Sequence, residues 1–223
     1  MPTNEYNGLE ADLETIPAGT VLYRINPTYA TWDANSYNSK SPRALGDLGQ
    51  GRFEPLDASL GHYIYLAQSM AGAIAEGVLR GEKITGGMIG RPALVGVPKN
   101  MPGKKVGKSL VTMRLEEDVV VASLYGAHTS RLNLNASLLL GEDYNRTRET
   151  GTKVLANTLS ANGLKYRCAN HDDLTSLMFI SRHRPAELTI LDQFDIFFDA
   201  DGREKVLDIL DSEFNLKYSG KIP

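Results

Sequence analysis

His62-Tyr63-Ile64-Tyr65-Leu66-Ala67-Gln68-Ser69-Met70-Ala71-Gly72-Ala73-Ile74-Ala75-Glu76-Gly77-Val78-Leu79-Arg80 joins two different periodicities. Residues 62–66 are aromatic and β-branched and are entered from Gly61, which predicts a strand. Residues 68–80 are Ala-rich, with apolar positions at 70, 73, 74, 78 and 79. That spacing makes one helical face, and Gly81 follows as a stop. Upstream, residues 21–25 read as a strand ending at Asn26-Pro27. Downstream, residues 93–97 read as a buried strand and residues 119–122 as another. An amphipathic helix is predicted over 145–161, stopped by Asn162-Gly163. Strands follow at 164–168, 177–180 and 188–190, then an Asp201-Gly202 turn and a short helix over 203–210. Strands and helices mix without regular βαβ alternation, so the fold class is α+β rather than a doubly wound sheet.

The chain of 223 residues is long enough to bury a full core without staples. It is 42% hydrophobic and 23% charged, which places it with globular rather than disordered chains. Lys plus Arg is 24 against 27 Asp plus Glu, a net charge of −3. A dedicated nucleic-acid binder shows a basic excess, so no direct nucleic-acid binding is expected. The single cysteine, Cys168, cannot form an internal disulfide, which suits a reducing compartment. The start lacks a Sec-type leader and no run suits a membrane span, so the expected site of action is the cytoplasm.

Several look-alike motifs fail on detail. Gly103-Lys104-Lys105-Val106-Gly107-Lys108-Ser109 resembles a phosphate loop, but Pro102 stands where its first glycine belongs. Phe197 to Asp208 resembles a calcium loop, but its first ligand position is Phe197 and its last is Asp208 rather than Glu. His62, His128, His171 and His183 form no metal-binding spacing, and there is no G-x-S-x-G elbow.

Four residues sit where structural habit does not require them. Arg24 ends an apolar strand, Arg52 lies in a glycine-rich turn, Tyr65 ends a strand and Glu76 falls inside an Ala-rich helix. Each alone has a plain structural reading. Their order, Tyr23-Arg24-Ile25, Gly51-Arg52-Phe53, Tyr65-Leu66-Ala67 and Ala73-Ile74-Ala75-Glu76, resembles the RES domain family. The likeness continues in Arg146-Thr147-Arg148-Glu149-Thr150-Gly151, in Gly163-Leu164-Lys165-Tyr166-Arg167 and in Leu177-Met178-Phe179. It covers residues 18–185, leaving 1–17 as a leader and 186–223 as an extension packed on the same domain.

The resemblance implies a fold related to ADP-ribosyltransferase toxins, with a mixed or antiparallel sheet flanked by helices. It implies a bacterial toxin that degrades NAD⁺, as glycohydrolase or phosphorylase, with no cofactor and with phosphate as a possible co-substrate. It also implies a protein partner: an Xre-type antitoxin, or an immunity protein if the chain is a secreted effector. Transfer of ADP-ribose to a macromolecule and a non-catalytic binding module are the alternatives.

Cleaving the nicotinamide–ribose bond passes through an oxocarbenium-like state with a neutral leaving group, so charge stabilisation matters more than proton transfer. The resemblance assigns Glu76, Arg24 and Tyr65 as catalytic residues, with Glu76 as the carboxylate; Arg24 and Arg52 also form a pyrophosphate clamp and Tyr65 a wall for the nicotinamide ring. The family's Tyr-x-Ser aligns with Tyr166-Arg167-Cys168, so Cys168 stands in a substrate-binding position where a serine is expected. A small buried hydrophobe at Cys168, with the serine shifted to Ser176 or Ser181, is the other reading. The long segment between Arg24 and Arg52 is expected to act as a lid, a partner contact or a determinant of acceptor choice.

Overall fold

The structure, a computed structural model, describes residues 5–28, 33–38, 51–82, 84–95, 107–135, 139 and 144–220. Its elements run β1 (Leu13–Ile16), β2 (Val21–Pro27), β3 (Tyr63–Ala67), α1 (Met70–Gly77), β4 (Met88–Ile89), α2 (Arg91–Val95), β5 (Lys108–Leu115) and β6 (Val119–Leu124). They continue with α3 (His128–Arg131), α4 (Tyr144–Asn157), β7 (Gly163–Arg167), β8 (Thr175–Ile180), β9 (Leu188–Asp195), α5 (Ala200–Phe214) and β10 (Lys217–Tyr218). Eight strands form one sheet in the order β1-β6-β7-β8-β3-β2-β5-β9, and β10 pairs with β4 apart from it. Within the large sheet only β6 and β7 are parallel. The connection between them carries α3 and α4, as a parallel step requires a crossover. This is the expected α+β class.

Alternation along the strands buries both faces. Leu177 and Phe179 of β8 join Leu22, Ile64, Val111 and Val121 on one side. Met178 and Ile180 join Phe53, Val154, Leu155 and Tyr166 on the other, under α4. A third cluster, with Ile74, Leu94, Leu110, Val206 and Leu210, packs α1, α2 and α5 together. Helix ends are capped locally. Ser69 Oγ accepts the Gly72 N–H at 3.0 Å at the start of α1, and Asp199 Oδ1 accepts the Gly202 N–H at 2.8 Å at the start of α5.

The structure departs from the sequence reading in several places. Residues 93–95 are helical, not a strand: Pro92 suits a first helical turn, and a short apolar run has no period to tell the two states apart. Asp201-Gly202 lies within the first turn of α5 rather than in a turn before it, because Asp199 caps one step earlier. Strand β5, unmarked in the sequence reading, sits between β2 and β9 and pairs with β2 from Val21–Arg114 to Pro27–Lys108. The expected leader, 1–17, supplies β1, which pairs with β6 from Leu13–Ala122 to Ile16–Val119. At the other end, β9 borders the sheet and Val206 and Leu210 of α5 share the core of α1.

The look-alike motifs have structural jobs. Lys108 Nζ donates to Gly77 O at 3.1 Å and Ala93 O at 2.7 Å, so it caps the carbonyl ends of α1 and α2. Residues 103–106 of that motif lie outside the described residues, as does most of the segment between Arg24 and Arg52, at 29–32 and 39–50. Asp195 Oδ1 accepts the N–H groups of Phe197 and Phe198, which accounts for the calcium-like stretch as turn chemistry.

Candidate active site

β2 and β3 are sheet neighbours, yet they pair at a single register position, Tyr23 opposite Ala67. Beyond it they part, while each keeps a full ladder with its other neighbour, β5 or β8. A cavity of about 210 Å³ opens at this split, lined by Arg24, Tyr65, Glu76, Arg80, Tyr166 and Ser176 among others. Helix α1 carries Glu76 across the split. Its last residue, Gly77, approaches β2 so closely that a Cβ there would fall 2.4 Å from that of Ile25. A second cavity of about 310 Å³ shares Tyr166 as a wall and is lined by Leu124, Thr129, Leu139 and Arg167. It is the larger of the two, but the buried charges converge on the smaller.

Glu76 is the centre of that convergence. Its Oε1 lies 2.8 Å from Arg52 Nη2 and accepts the Ala169 N–H at 3.0 Å. Its Oε2 has Arg80 Nη1 at 3.8 Å, beyond hydrogen-bond reach. One oxygen is therefore saturated by protein, and the other faces a cation across a gap.

Arg52 is 2% exposed and is not a wall of the cavity. Its guanidinium lies 4.7 Å from the Tyr166 ring centroid and 5.4 Å from that of Phe53. Besides Glu76 it donates to Arg167 O at 3.0 Å and to Leu139 O at 3.4 Å. In this arrangement Arg52 acts as a buried strut that fixes the carboxylate. Arg24 does line the cavity, with Nη1 donating to Ala34 O at 2.6 Å and Ser36 O at 3.2 Å. Burial pulls its guanidinium down to about 10, which leaves it a cation at neutral pH.

Tyr65 is in the cavity wall and also holds the Arg52 turn. Its Oη accepts the Phe53 N–H at 2.8 Å, and burial pushes the phenol well above its ordinary range. The turn passes so near that a Cβ on Gly51 would lie 2.5 Å from that oxygen, so only glycine fits. Tyr166 is 2% exposed, and burial, followed by the charge of Glu76, raises its phenol too.

Cys168 sits behind the cavity rather than in its wall. It is 1% exposed. Its Sγ lies 3.1 Å from Ser176 Oγ, and burial pushes the thiol up to about 11. Ser176, on the neighbouring strand, is the residue that reaches the cavity wall. Ser181 is elsewhere, accepting the His62 N–H.

Arg80 is the functional candidate that sequence reasoning passed over. Its Nε donates to Tyr144 Oη at 2.6 Å, with the guanidinium 4.5 Å from that ring's centroid. The four-residue step from Glu76 was the available signal, since a helix read over 68–80 puts the two side chains on one face, and the pair is kept although α1 ends at Gly77.

Among the described residues, no helix is long and apolar enough to cross a membrane. A search of curated proteins finds no match. A solved structure, the crystal structure of the M. tuberculosis MbcT–MbcA toxin–antitoxin complex, shares the fold with TM-score 0.54 at 19% identity, covering 81% of this chain and 86% of that chain. The family model for the RES domain matches residues 21–199, a span that contains Arg24, Arg52, Tyr65 and Glu76 together with seven of the eight strands of the sheet that gathers them. On that match over most of its length, the chain belongs to the RES domain family.

Proposed function

We propose that this chain is a toxin that depletes NAD⁺ by cleaving the nicotinamide–ribose bond. The observation that carries the reading is the half-committed carboxylate of Glu76. Arg52 and the Ala169 N–H hold Oε1, so the side chain cannot swing, while Oε2 stays available at the cavity. A carboxylate fixed in this way can accept a ribose hydroxyl and stabilise positive charge developing at the anomeric carbon. Preorganised groups of this kind are worth about 10²–10³ in rate each. Arg24 and Arg80 supply the cations for the pyrophosphate, in place of the Arg24–Arg52 pair. Tyr65 and Tyr166 offer ring surface to the nicotinamide.

The neighbouring structure is a toxin held by an antitoxin. By that analogy this chain takes a cognate antitoxin, with an Xre-type protein as the proposed class.

Purified protein incubated with NAD⁺, with and without phosphate, tests the activity. Nicotinamide release is expected, paired with ADP-ribose from water or ADP-ribose 1-phosphate from phosphate. Glu76→Gln is expected to lower turnover by about 10²-fold or more. Folded protein that releases no nicotinamide under either condition defeats the reading. Label from NAD⁺ appearing on protein or nucleic acid in a lysate would move it to transfer.

A further inference from the structure

The register places Ser176 opposite Tyr166 on β7 and opposite Ala67 on β3. Cross-strand partners share a face, so Ser176 rises beside Tyr166 and under the split between β2 and β3. It is 1% exposed and lines the same cavity as Glu76 and Tyr65. Cys168 lies just past the end of β7, its N–H donating to Leu174 O at 2.9 Å. Its Sγ has two neighbours: Ser176 Oγ at 3.1 Å and Gly72 O at 4.0 Å.

We propose that Ser176 is the hydroxyl that contacts the nicotinamide–ribose half of the substrate, and that Cys168 is its positioning residue. This rests on the NAD⁺-cleavage reading above. A serine has one proton to donate, and the thiol decides where it goes. When the S–H donates to Ser176 Oγ, the serine O–H is directed away from sulfur, toward the cavity. When the S–H turns to Gly72 O, the serine O–H falls back on sulfur. A thiol is protonated at neutral pH, and burial moves this one further from ionising, so it remains a donor. The position where the resembling family has its serine therefore keeps a donor, one layer behind the hydroxyl that meets substrate.

The test measures kcat and KM for nicotinamide release, with thermal unfolding of each variant. Ser176→Ala is expected to lower kcat/KM by about 10- to 100-fold, within the range for leaving one hydrogen-bonding group of the substrate unsatisfied in a buried site. Ser176→Cys, a close match in size with a weaker donor, is expected to fall between wild type and Ser176→Ala. It serves in place of the alanine variant should that one fail to fold. Cys168→Ala is expected to lose about 3- to 10-fold, and Cys168→Ser to recover that loss because it restores a donor at the same place. In the Ser176→Ala background, Cys168→Ala is expected to cost nothing further.

An active wild type whose Ser176→Ala or Ser176→Cys variant keeps kcat/KM within about two-fold overturns the substrate contact. Equal losses from Cys168→Ala with and without Ser176 overturn the positioning role, as does failure of Cys168→Ser to recover. A folded wild type that releases no nicotinamide overturns the NAD⁺ reading itself, and this proposal with it.

Discussion

Replacing Arg52 by Met separates a buried strut from a substrate clamp. Arg52 is 2% exposed, and its partner Glu76 keeps 15% of its side chain exposed. Removing the guanidinium leaves Glu76 Oε1 with the Ala169 N–H, and takes a donor from both Arg167 O and Leu139 O. Breaking a buried ion pair from one side costs about 3–5 kcal/mol, because a charge is left behind in a poorly solvated place. The cavity beside Glu76 admits some solvent, so the expected cost is near the lower bound, about 3 kcal/mol. In urea, with a slope of about 2–3 kcal/mol/M for a chain of this size, the unfolding midpoint falls by roughly 1–1.5 M. Glu76→Gln in the Arg52→Met background removes the orphaned charge. The double variant is therefore expected to be more stable than the sum of the single losses, by about 1–3 kcal/mol. If Arg52 instead bound pyrophosphate, Arg52→Met would raise KM and leave the midpoint alone. A midpoint shift equivalent to under about 1 kcal/mol, with additive single and double variants, would refute the strut.

Two more expectations follow from the same geometry. Gly51→Ala puts a methyl 2.5 Å from Tyr65 Oη, so the turn must move and the Phe53 N–H bond with it. The expected loss is about 1–3 kcal/mol, read as a lower Tm with lower activity, and an unchanged Tm contradicts the packing. The third concerns alkaline pH. Burial raises the Cys168 thiol from 9.0 to about 11, so between these values the unfolded chain gives up a proton that the folded chain keeps. Its contribution is full below pH 9.0 and is lost as pH rises through about 11, up to about 3 kcal/mol in all. Urea unfolding at pH 8 and pH 11 should show a smaller alkaline loss for Cys168→Ser than for wild type. Tyr37 and Tyr65 are raised in both proteins, so the comparison isolates the thiol, and equal losses refute it.

Local pattern made much of this molecule legible. The strand–helix unit at 62–80 appears as β3 and α1, because β-branched and aromatic alternation and a 3.6-residue apolar face each need only near neighbours. That unit also carries Tyr65 and Glu76, eleven residues apart, so both arrive at one cavity wall. Where local pattern had no period to offer, it misled. The apolar run at 93–95 is helical, and all three of its residues are buried in the cluster that includes Ile74 of α1 and Val206 and Leu210 of α5. Strand β5 was hidden because Ser109, Thr112 and Arg114 interrupt its apolar residues, and its identity comes from its ladders with β2 and β9.

The sequence by itself determined which chemistries were at hand: a carboxylate on a helix, arginines near glycine turns, aromatic strand ends and one cysteine. It could not assign the work among them, since charge roles depend on burial and on partners distant along the chain. Arg52 and Glu76 are 24 residues apart, Arg52 and Arg167 O are 115 apart, and only the folded sheet brings the three together. The same is true of Cys168 and Ser176. The hairpin of β7 and β8 turns the thiol inward and the hydroxyl to the cavity wall, a decision made by strand register and packing rather than by residue type.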